Sequence, residues 1–436
     1  MTADESRGRQ RRRLTATVTD LAVPRQRAYL VGVSQDGRLD DSERSLVELG
    51  LLADTAGSEA VGREVVRVRG SFDPATLIGK GKAEQLADEA RVLDVDVVVF
   101  DVDLTAAQER NLQAVFGCDV VDRVALILDI FAQHASSHEG RIQVELALLH
   151  YHLPRLRGRG TEMSRLGGGI GTRGPGETKL ETDRRRILHR IAHLERDLRK
   201  LRRVRDTQRK ARVRSDLPVV ALVGYTNAGK STLLNHLTGA GVLVEDRLFS
   251  TLDPTVRRYR MANGTTLLIS DTVGFVRRLP HELVEAFQST LVEVVQADLL
   301  LHVVDASDPD AFGQITAVRA VLEEIGAASV PELTVLNKTD IAERAGLNRL
   351  RELLPDAVVV SALKGDNIAD LEAAIEGALA ARTVELKLEI PFDRGDALAS
   401  LHGVGELIRE EHTETGTLVV ARVPLSRAHQ FDAFAL

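Results

Sequence analysis

The sequence predicts an α/β multidomain fold, with a helical hairpin between two α/β domains and a small domain after them. Its 436 residues exceed what one ordinary hydrophobic core contains. Short β-rich runs alternate with helical runs in two separate stretches, which is the α/β pattern. Two heptad-spaced aliphatic stripes lie between these stretches and predict paired helices. We therefore expect a tail and four units, with bounds at residues 1–22, 23–134, 135–214, 215–382 and 383–436.

Composition narrows the class of protein. The hydrophobic share of 44% and the charged share of 28% are those of a soluble globular protein. The single cysteine, Cys118, excludes a disulfide framework and suits a reducing cytosol. The polar, Arg-rich residues 1–22 resemble no signal peptide, and we expect them to be disordered. No run approaches the roughly 18 apolar residues of a membrane span. We expect a cytoplasmic monomer without a membrane span.

Residues 23–134 are predicted to form an α/β domain with a mainly parallel sheet, because strand-like and helical runs alternate there. The segment Ile78–Lys82, IGKGK, is a candidate second nucleotide site. However, it lacks the GxxxxGK spacing, and Gly-Lys pairs also cap turns before helices. The predicted strands are Ala28–Val33, Glu64–Arg69, Val95–Asp101 and Asp119–Asp122, and the predicted helices are Ser42–Leu52, Lys82–Val92, Ala106–Phe116 and Val124–Gln133.

The two heptad stripes predict an antiparallel helical hairpin, since neither helix could bury its narrow apolar face alone. At the other end of the chain, residues 383–436 contain two strand-like runs around a helical stretch, and we assign this small domain no chemistry. The first stripe is Ile142, Leu146, Leu149, Leu153 and Leu156, the second is Ile187, Ile191, Leu194, Leu198 and Leu201, and the C-terminal runs are Val384–Ile390 and Thr417–Val423.

The segment between the stripes, residues 157–177, is glycine-rich and basic, and we name it the Gly/Arg loop. Its eight glycines from Gly158 to Gly176 argue against a helix, where each would cost about 1 kcal/mol. Arg155–Arg214 carries 20 Lys+Arg and 7 Asp+Glu, which favours binding to a polyanion. A flexible linker and a solvated helix face are the alternatives. The basic residues expected to contact the polyanion are Arg157, Arg159, Arg165, Arg173 and Lys179.

A strand–loop–helix motif follows Pro218. The apolar run Val219–Val223 leads into GYTNAGKS, which matches GxxxxGK[ST] in the structural context that this motif requires. Its backbone N–H groups would hold the β-phosphate, Lys230 would reach the β- and γ-phosphates, and Ser231 would bind Mg²⁺. The predicted phosphate-binding residues are Gly224, Tyr225, Thr226, Asn227, Ala228, Gly229, Lys230, Ser231 and Thr232.

Further motifs follow in the order of a guanine-nucleotide domain. DTVG is a DxxG motif at a strand end, where Asp271 would hold Mg²⁺ through water and the Gly274 N–H would sense the γ-phosphate. The carboxylate of NKTD can accept two guanine donors that adenine lacks, which can give about 10⁴-fold selectivity. These motifs predict a P-loop GTPase domain. Its second switch comprises Asp271, Thr272, Val273, Gly274 and Phe275, and its guanine site comprises Asn337, Lys338, Asp340, Ser361, Ala362 and Leu363.

The first switch is predicted in the segment FSTLDPT. Thr251 lies 20 residues from both Ser231 and Asp271, and we prefer it as the second Mg²⁺ ligand. Thr255 is the alternative. The switch residues are Phe249, Ser250, Thr251, Leu252 and Asp253.

Two residues modify the expected chemistry. Phe275 stands where many GTPases have a water-orienting Gln, so we expect slow intrinsic hydrolysis. A hydrophobic anchor is the other interpretation of Phe275, and both can hold. Asn227 is a candidate K⁺ ligand, because an Asn at this position helps bind K⁺ in some P-loop GTPases.

With these residues the chain resembles the bacterial HflX family, in the Obg-HflX group of translation-associated P-loop GTPases. The GTPase motifs GYTNAGKSTLLN, FSTLDPT, DTVGF, NKTD and SAL agree, but they also fit many other GTPases. GRIQVELALLHYHLPRL and GGGIGTRGPGETKLETDRR, in the helical segment, are the specific signatures. The resemblance runs from about residue 25 to the C-terminus and leaves out the basic tail.

The resemblance implies a cytoplasmic, partly ribosome-associated factor. HflX proteins bind the large (50S) ribosomal subunit, contact the rRNA of its peptidyl transferase region through the hairpin, and split stalled or idle 70S ribosomes under stress. The resemblance also implies nucleotide-dependent RNA remodelling by the N-terminal domain. Two other functions stay open: an RNA-remodelling or ribosome-assembly GTPase, and a regulatory switch whose hairpin binds a protein. For all three we expect GTP and GDP as ligands, Mg²⁺ as cofactor, and K⁺ as an additional candidate.

Overall fold

The structure is a computed structural model, and it describes most of the chain. The described residues are 25–35, 39–156, 175–213, 217–239, 248–249, 255–277, 291–380, 383–413, 415–424 and 428–436. The tail at residues 1–22 therefore lies outside them, as do most of the Gly/Arg loop and most of switch I. Among the described helices, we find none with the length and apolar character that crossing a membrane requires.

The N-terminal domain contains a four-stranded parallel sheet, as predicted. The second strand is longer than expected: it begins at Ser58 and not at Glu64, because residues before Glu64 also pair with the first strand, across a register shift between Ala28 and Tyr29. In the sheet the order is β2-β1-β3-β4. The strands are β1 Gln26–Gln35, β2 Ser58–Val68, β3 Val97–Phe100 and β4 Asp119–Asp122, and the helices are α1 Leu39–Thr55, α2 Lys80–Val92, α3 Ala106–Phe116 and α4 Arg123–His134.

The predicted antiparallel hairpin is confirmed and consists of α5, His138–Arg155, and α6, Pro175–Val213. Its seam is a buried aliphatic cluster drawn from both heptad stripes. The prediction that the segment up to Gly176 is not helical is wrong at its end, because α6 already begins at Pro175. Proline is well suited to the first helical position, and the cost of about 1 kcal/mol for one glycine is small in a 39-residue helix. The buried seam residues are Ile142, Leu146, Ile191, Leu194 and Leu198.

The GTPase domain has a six-stranded sheet in the order β10-β9-β8-β5-β7-β6. Every neighbouring pair is parallel except β6 with β7. The carboxyl ends of β5, β7, β8 and β9 therefore meet at one edge of the sheet. The strands are β5 Val219–Gly224, β6 Thr255–Arg260, β7 Thr266–Asp271, β8 Leu299–Asp305, β9 Glu332–Asn337 and β10 Val358–Val359, and the helices are α7 Lys230–Thr238, α8 Ala311–Glu324, α9 Arg344–Leu353 and α10 Ile368–Ala380.

The C-terminal domain is a three-stranded antiparallel sheet with one α-helix. The sequence pattern predicts a helical stretch between the two strand-like runs; the helix is present, but a third strand, Glu406–His412, follows it at the edge of the sheet. Its charged residues obscure the strand pattern, and such residues are common at sheet edges. The elements are β11 Thr383–Pro391, α11 Gly395–Val404, β12 Glu406–His412 and β13 Gly416–Pro424, with short 3-10 helices at Phe392–Arg394 and His429–Phe434.

The N-terminal and GTPase domains share one buried apolar cluster. Phe131 of α4 meets Phe249 edge-on, with ring centroids 4.6 Å apart. Phe275 joins the same cluster from the GTPase domain. The backbone N–H of Leu248 donates to the Thr55 hydroxyl over 3.3 Å. Parts of both predicted switches therefore pack against the N-terminal domain.

Candidate nucleotide-binding site

The predicted phosphate loop links the end of β5 to the start of α7. Gly224 has a φ of 147°, and a Cβ there would collide with the carbonyl oxygen of Val303 on β8. Gly229 has a φ of 91°, and a Cβ there would collide with the side-chain nitrogen of Asn337. Both positions therefore require glycine, for backbone conformation and for space.

Lys230 lies under this loop as the first residue of α7. Its side chain is buried, and its Nζ donates to the carbonyl oxygens of Gly224, over 3.1 Å, and Tyr225, over 2.8 Å. Burial lowers the pKa of Lys230 to about 8, and the nearby Asp271 carboxylate opposes this shift. The lysine cation thus lies inside the loop, where the loop and α7 direct backbone N–H groups.

Ser231 and Asp271 form a buried oxygen pair at the same edge. The Ser231 hydroxyl donates to Asp271 Oδ2 over 2.7 Å, and Asp271, the last residue of β7, is fully buried. The following Thr272 is anchored to β5, because its hydroxyl donates to the Leu222 carbonyl over 2.6 Å. One hydroxyl and one carboxylate are hard oxygen donors, which is the chemistry that Mg²⁺ prefers. The residues present therefore fit a magnesium ion.

The DxxG segment runs directly over the phosphate loop. The backbone N–H of Thr226 donates to the Phe275 carbonyl over 2.8 Å, and the Phe275 N–H donates to the Gly224 carbonyl over 3.1 Å. A Cβ on Gly274 would lie 3.0 Å from Lys230 Nζ. Phe275 is 1% exposed, with its ring in the interdomain cluster. The geometry therefore agrees with the interpretation of Phe275 as a hydrophobic anchor.

The predicted guanine residues converge from the ends of β9 and β10. The Asn337 Nδ2 donates to the Ala228 carbonyl over 2.8 Å, and its Oδ1 accepts from the Ala362 N–H at 2.9 Å. Asn337 is thus a bridge from the phosphate loop to the segment after β10. The Ser361 hydroxyl donates to Asp340 Oδ1 over 2.9 Å and orients that carboxylate.

The remaining predicted residues differ in how far they are exposed to solvent. Leu363 is 77% exposed, and Asn227 is also exposed, with a φ of 59°. Thr232 lies in the first turn of α7. Lys338 has a φ of 60°, and its Nζ contacts Asp305 Oδ2 at 2.7 Å. Val273 of the second switch is buried.

Sequence reasoning missed Asp305. It ends the apolar run of β8 at the same sheet edge as Asp271 and Asn337. That position, an acidic residue directly after a buried parallel strand, was a usable signal.

Several predicted residues lie outside the described ranges. They are Ser250, Thr251, Leu252 and Asp253 of switch I, and Arg157, Arg159, Arg165 and Arg173 of the Gly/Arg loop. Phe249 is described and buried, and Thr255, the alternative ligand, begins β6 opposite Asp271. Lys179 lies near the start of α6.

The candidate second nucleotide site is the turn into α2. Gly79 has a φ of 84° and directly precedes this helix. Lys80 pairs with Glu84 at 3.7 Å, and Lys82 pairs with Glu64 at 2.5 Å. Both lysines therefore have carboxylate partners within the domain, as in a simple capping turn.

These features define a P-loop GTPase. They are a phosphate loop between a strand and a helix, the Ser231–Asp271 oxygen pair beside it, and the predicted guanine residues after β9 and β10. Three family models match adjoining parts of the chain: GTP-binding GTPase N-terminal at 43–132, GTP-binding GTPase Middle Region at 134–212, and 50S ribosome-binding GTPase at 219–338.

Curated relatives align over nearly the whole chain. The GTPase HflX of Caldanaerobacter subterraneus subsp. tengcongensis is 46% identical over 404 residues, which cover 93% of this chain and 92% of that protein. The GTPase HflX of Escherichia coli (strain K12) is 42% identical over 405 residues, covering 92% and 94%. The chain therefore belongs to the HflX family of GTPases.

A solved structure is similar over much of the same length. The crystal structure of a GTP-binding protein from Sulfolobus solfataricus with GDP is 24% identical, covers 82% of this chain and 99% of its own, and has a TM-score of 0.42.

Proposed function

We propose that this GTPase binds the large (50S) ribosomal subunit, splits stalled or idle 70S ribosomes under stress, and hydrolyses GTP to GDP and phosphate in doing so. The observation that carries this proposal is the hairpin, which joins an apolar seam to an exposed basic face. Its location would then be the cytoplasm, partly on ribosomes, and it would act as a monomer.

The charge on α6 supports an RNA partner. The seam uses the apolar residues, and the arginines of α6 whose side chains the structure describes are all exposed: Arg184, Arg185, Arg186, Arg190, Arg196 and Arg199. Arg184 and Arg185 are exposed, and the described side chains include no acidic partner for either. By contrast, Arg190 is engaged by Glu145 at 2.7 Å. Unpaired exposed arginines can replace the counterions of a phosphate backbone, which is the main source of affinity for RNA.

The length of α6 supports an extended interface with a partner. At about 1.5 Å per residue a helix of 39 residues extends to nearly 60 Å. The helix begins at Pro175, near the end of the Gly/Arg loop in the sequence, and ends shortly before β5. A glycine-rich segment with arginines can enter narrow RNA cavities that a helix cannot.

The nucleotide roles follow from the site. Lys230 and the phosphate-loop N–H groups would bind the β- and γ-phosphates, and Asp340 would accept the guanine N1–H and amino group. Ser231 and Thr251 would hold Mg²⁺ directly, with Asp271 acting through water. When bound, Mg²⁺ would neutralise charge on the phosphate oxygens. Asn227, exposed on the loop, is the proposed K⁺ ligand.

Sedimentation of ribosomal fractions tests the partner. The protein should co-migrate with mature 50S subunits in the presence of a non-hydrolysable GTP analogue and less with GDP. Migration with precursor particles would favour a ribosome-assembly GTPase, and absence from every ribosomal fraction would favour a protein-binding switch.

The basic face is tested by a charge-matched pair of variants. R184A/R185A should weaken 50S binding and flatten its dependence on salt, by about one unit of slope for each phosphate that these arginines neutralise. R67A/R69A removes the same charge from two exposed positions, Arg67 on β2 and Arg69 directly after it. This variant should leave the salt dependence of 50S binding unchanged. Equal slopes for both variants would exclude this face of α6 from the interface.

A further inference from the structure

Two sets of buried or half-buried polar contacts, joined by the peptide bond between Asp122 and Arg123, connect the phosphate loop to the base of the Gly/Arg loop. It starts at the Tyr225 hydroxyl, which donates to Glu48 Oε2 over 2.7 Å and accepts from the Arg277 N–H over 2.7 Å. Tyr225 is 6% exposed. One hydroxyl thus joins the phosphate loop, α1 of the N-terminal domain and the chain that follows DxxG.

Arg123 forms the second step. Its guanidinium donates to Glu48 Oε1 over 2.6 Å, to Asp101 Oδ1 over 2.8 Å, and to the Arg277 carbonyl over 3.1 Å. Its side chain is 2% exposed. Burial alone would lower the pKa of Arg123, but Glu48 and Asp101 outweigh burial and raise it, so the cation stays charged.

Asp122, the neighbouring residue, forms the third step. It caps the N-terminus of α4, where its Oδ1 accepts from the Ala125 N–H at 2.8 Å. The same oxygen accepts from the Tyr151 hydroxyl at 2.9 Å, and Oδ2 accepts from Arg155 at 2.9 Å. Tyr151 and Arg155 lie in the last turns of α5, directly before the Gly/Arg loop begins at Arg157.

We propose that these contacts, through Tyr225, Glu48, Arg123, Asp122, Tyr151 and Arg155, transmit the nucleotide state of the site to the end of α5 that carries the Gly/Arg loop. The inference rests on the proposed GTP binding and names a regulatory connection of that site. Since coupling between two sites is reciprocal, engagement of the loop would in turn alter the affinity for nucleotide.

The proposed connection would respond to the nucleotide because of the position of Arg277. The DxxG segment responds to the γ-phosphate in P-loop GTPases, and Arg277 follows it by three residues. Both backbone groups of Arg277 belong to the polar set, so a shift of this segment would break its hydrogen bonds to Tyr225 and to Arg123 together. A buried guanidinium that is deprived of a partner is strongly destabilised, so the start of α4 should move with it.

Hydrogen exchange of the last turn of α5 tests the proposal. Exchange is compared with GDP and with a non-hydrolysable GTP analogue, while calorimetry reports nucleotide binding separately. In the parent protein the rates should differ between the two nucleotides by roughly fivefold or more, the lower end of typical allosteric coupling. E48Q keeps the shape of Glu48 and removes its charge, and should abolish this difference.

E145Q is the matched control. It breaks the ion pair between Glu145 and Arg190 in the same hairpin, outside the polar set, and should preserve the nucleotide-dependent difference. If E48Q does not fold, Y151F replaces it, because this change removes only the hydroxyl that donates to Asp122.

The outcomes separate the two proposals. If the parent binds both nucleotides but its exchange is the same with each, or if E48Q retains the difference, the connection is refuted and the proposed GTPase function stands. Failure of the parent to bind guanine nucleotides in calorimetry would refute the proposed function, and the connection with it.

Discussion

Replacing Asn337 by alanine should loosen the phosphate loop even before nucleotide binds. Its side chain satisfies two buried backbone groups, the Ala228 carbonyl at 2.8 Å and the Ala362 N–H at 2.9 Å, and it is only 2% exposed. Each buried group left without a partner costs about 1–3 kcal/mol, so the local stability should fall by about 2–6 kcal/mol. GTP affinity should fall as well, because the loop must be reordered on binding.

Native-state hydrogen exchange is the suitable assay, since a multidomain chain does not unfold in one step. The free energy of opening should drop for amides of the phosphate loop and α7, and stay unchanged in the N-terminal domain. N111A is the matched control: Asn111 lies exposed on α3 and donates only to the Ala75 carbonyl, at 2.9 Å. If N337A lowers the opening free energy no more than N111A does, the bridging role of Asn337 is refuted.

Three other substitutions test separate parts of the structure. G229A should abolish GTP binding in calorimetry, because Gly229 has a φ of 91° and a Cβ there would collide with the Asn337 side chain. G239A is the control and should preserve binding, because Gly239 also has a positive φ, 63°, but has open space around it. Hydrogen bonds from His302 and an arginine outweigh burial and lower the pKa of Glu332 from 4.5 to about 2. E332Q should therefore cost at most about 3 kcal/mol above pH 4.5, and the deficit should shrink as pH falls towards 2, which native-state hydrogen exchange of the β8 and β9 amides at several pH values would show. F275Q should not speed phosphate release, and it should lower the free energy of opening measured by hydrogen exchange around the interdomain cluster, since it buries an amide in an apolar environment.

The sequence was sufficient for those parts of the site that local chemistry determines. GYTNAGKS lies between β5 and α7 because its glycines occupy backbone positions that other residues would strain, as at Gly224 and Gly229. Asp271 and Asn337 both end buried parallel strands, and the ends of such strands meet at one sheet edge. Motif order and strand pattern therefore located these residues together.

Contacts between domains could not be predicted in the same way. Glu48 and Tyr225 are separated by 177 positions, and Arg123 and Arg277 by 154. Arg123 follows a short strand and begins a helix, and its sequence neighbourhood resembles that of a solvent-exposed first turn. The burial of Arg123 could therefore not be predicted from the sequence. Strand β12 was missed for a related reason: its charged residues tolerate an edge position, and only its pairing with β13 identifies it as a strand.

The burial of Phe275 changes how a phenylalanine directly after the DxxG motif is interpreted. A phenylalanine after DxxG could be a local substitution in an otherwise ordinary switch. Here its ring belongs to the cluster that joins the GTPase domain to Phe131 of α4, while its backbone is held by both Gly224 and Thr226. The residue at this position is therefore committed to interdomain packing, and no side chain placed there could orient water without leaving the cluster. If the proposed 50S partner is correct, we expect large subunits to accelerate phosphate release, because the same residue that holds the domains together cannot also serve hydrolysis.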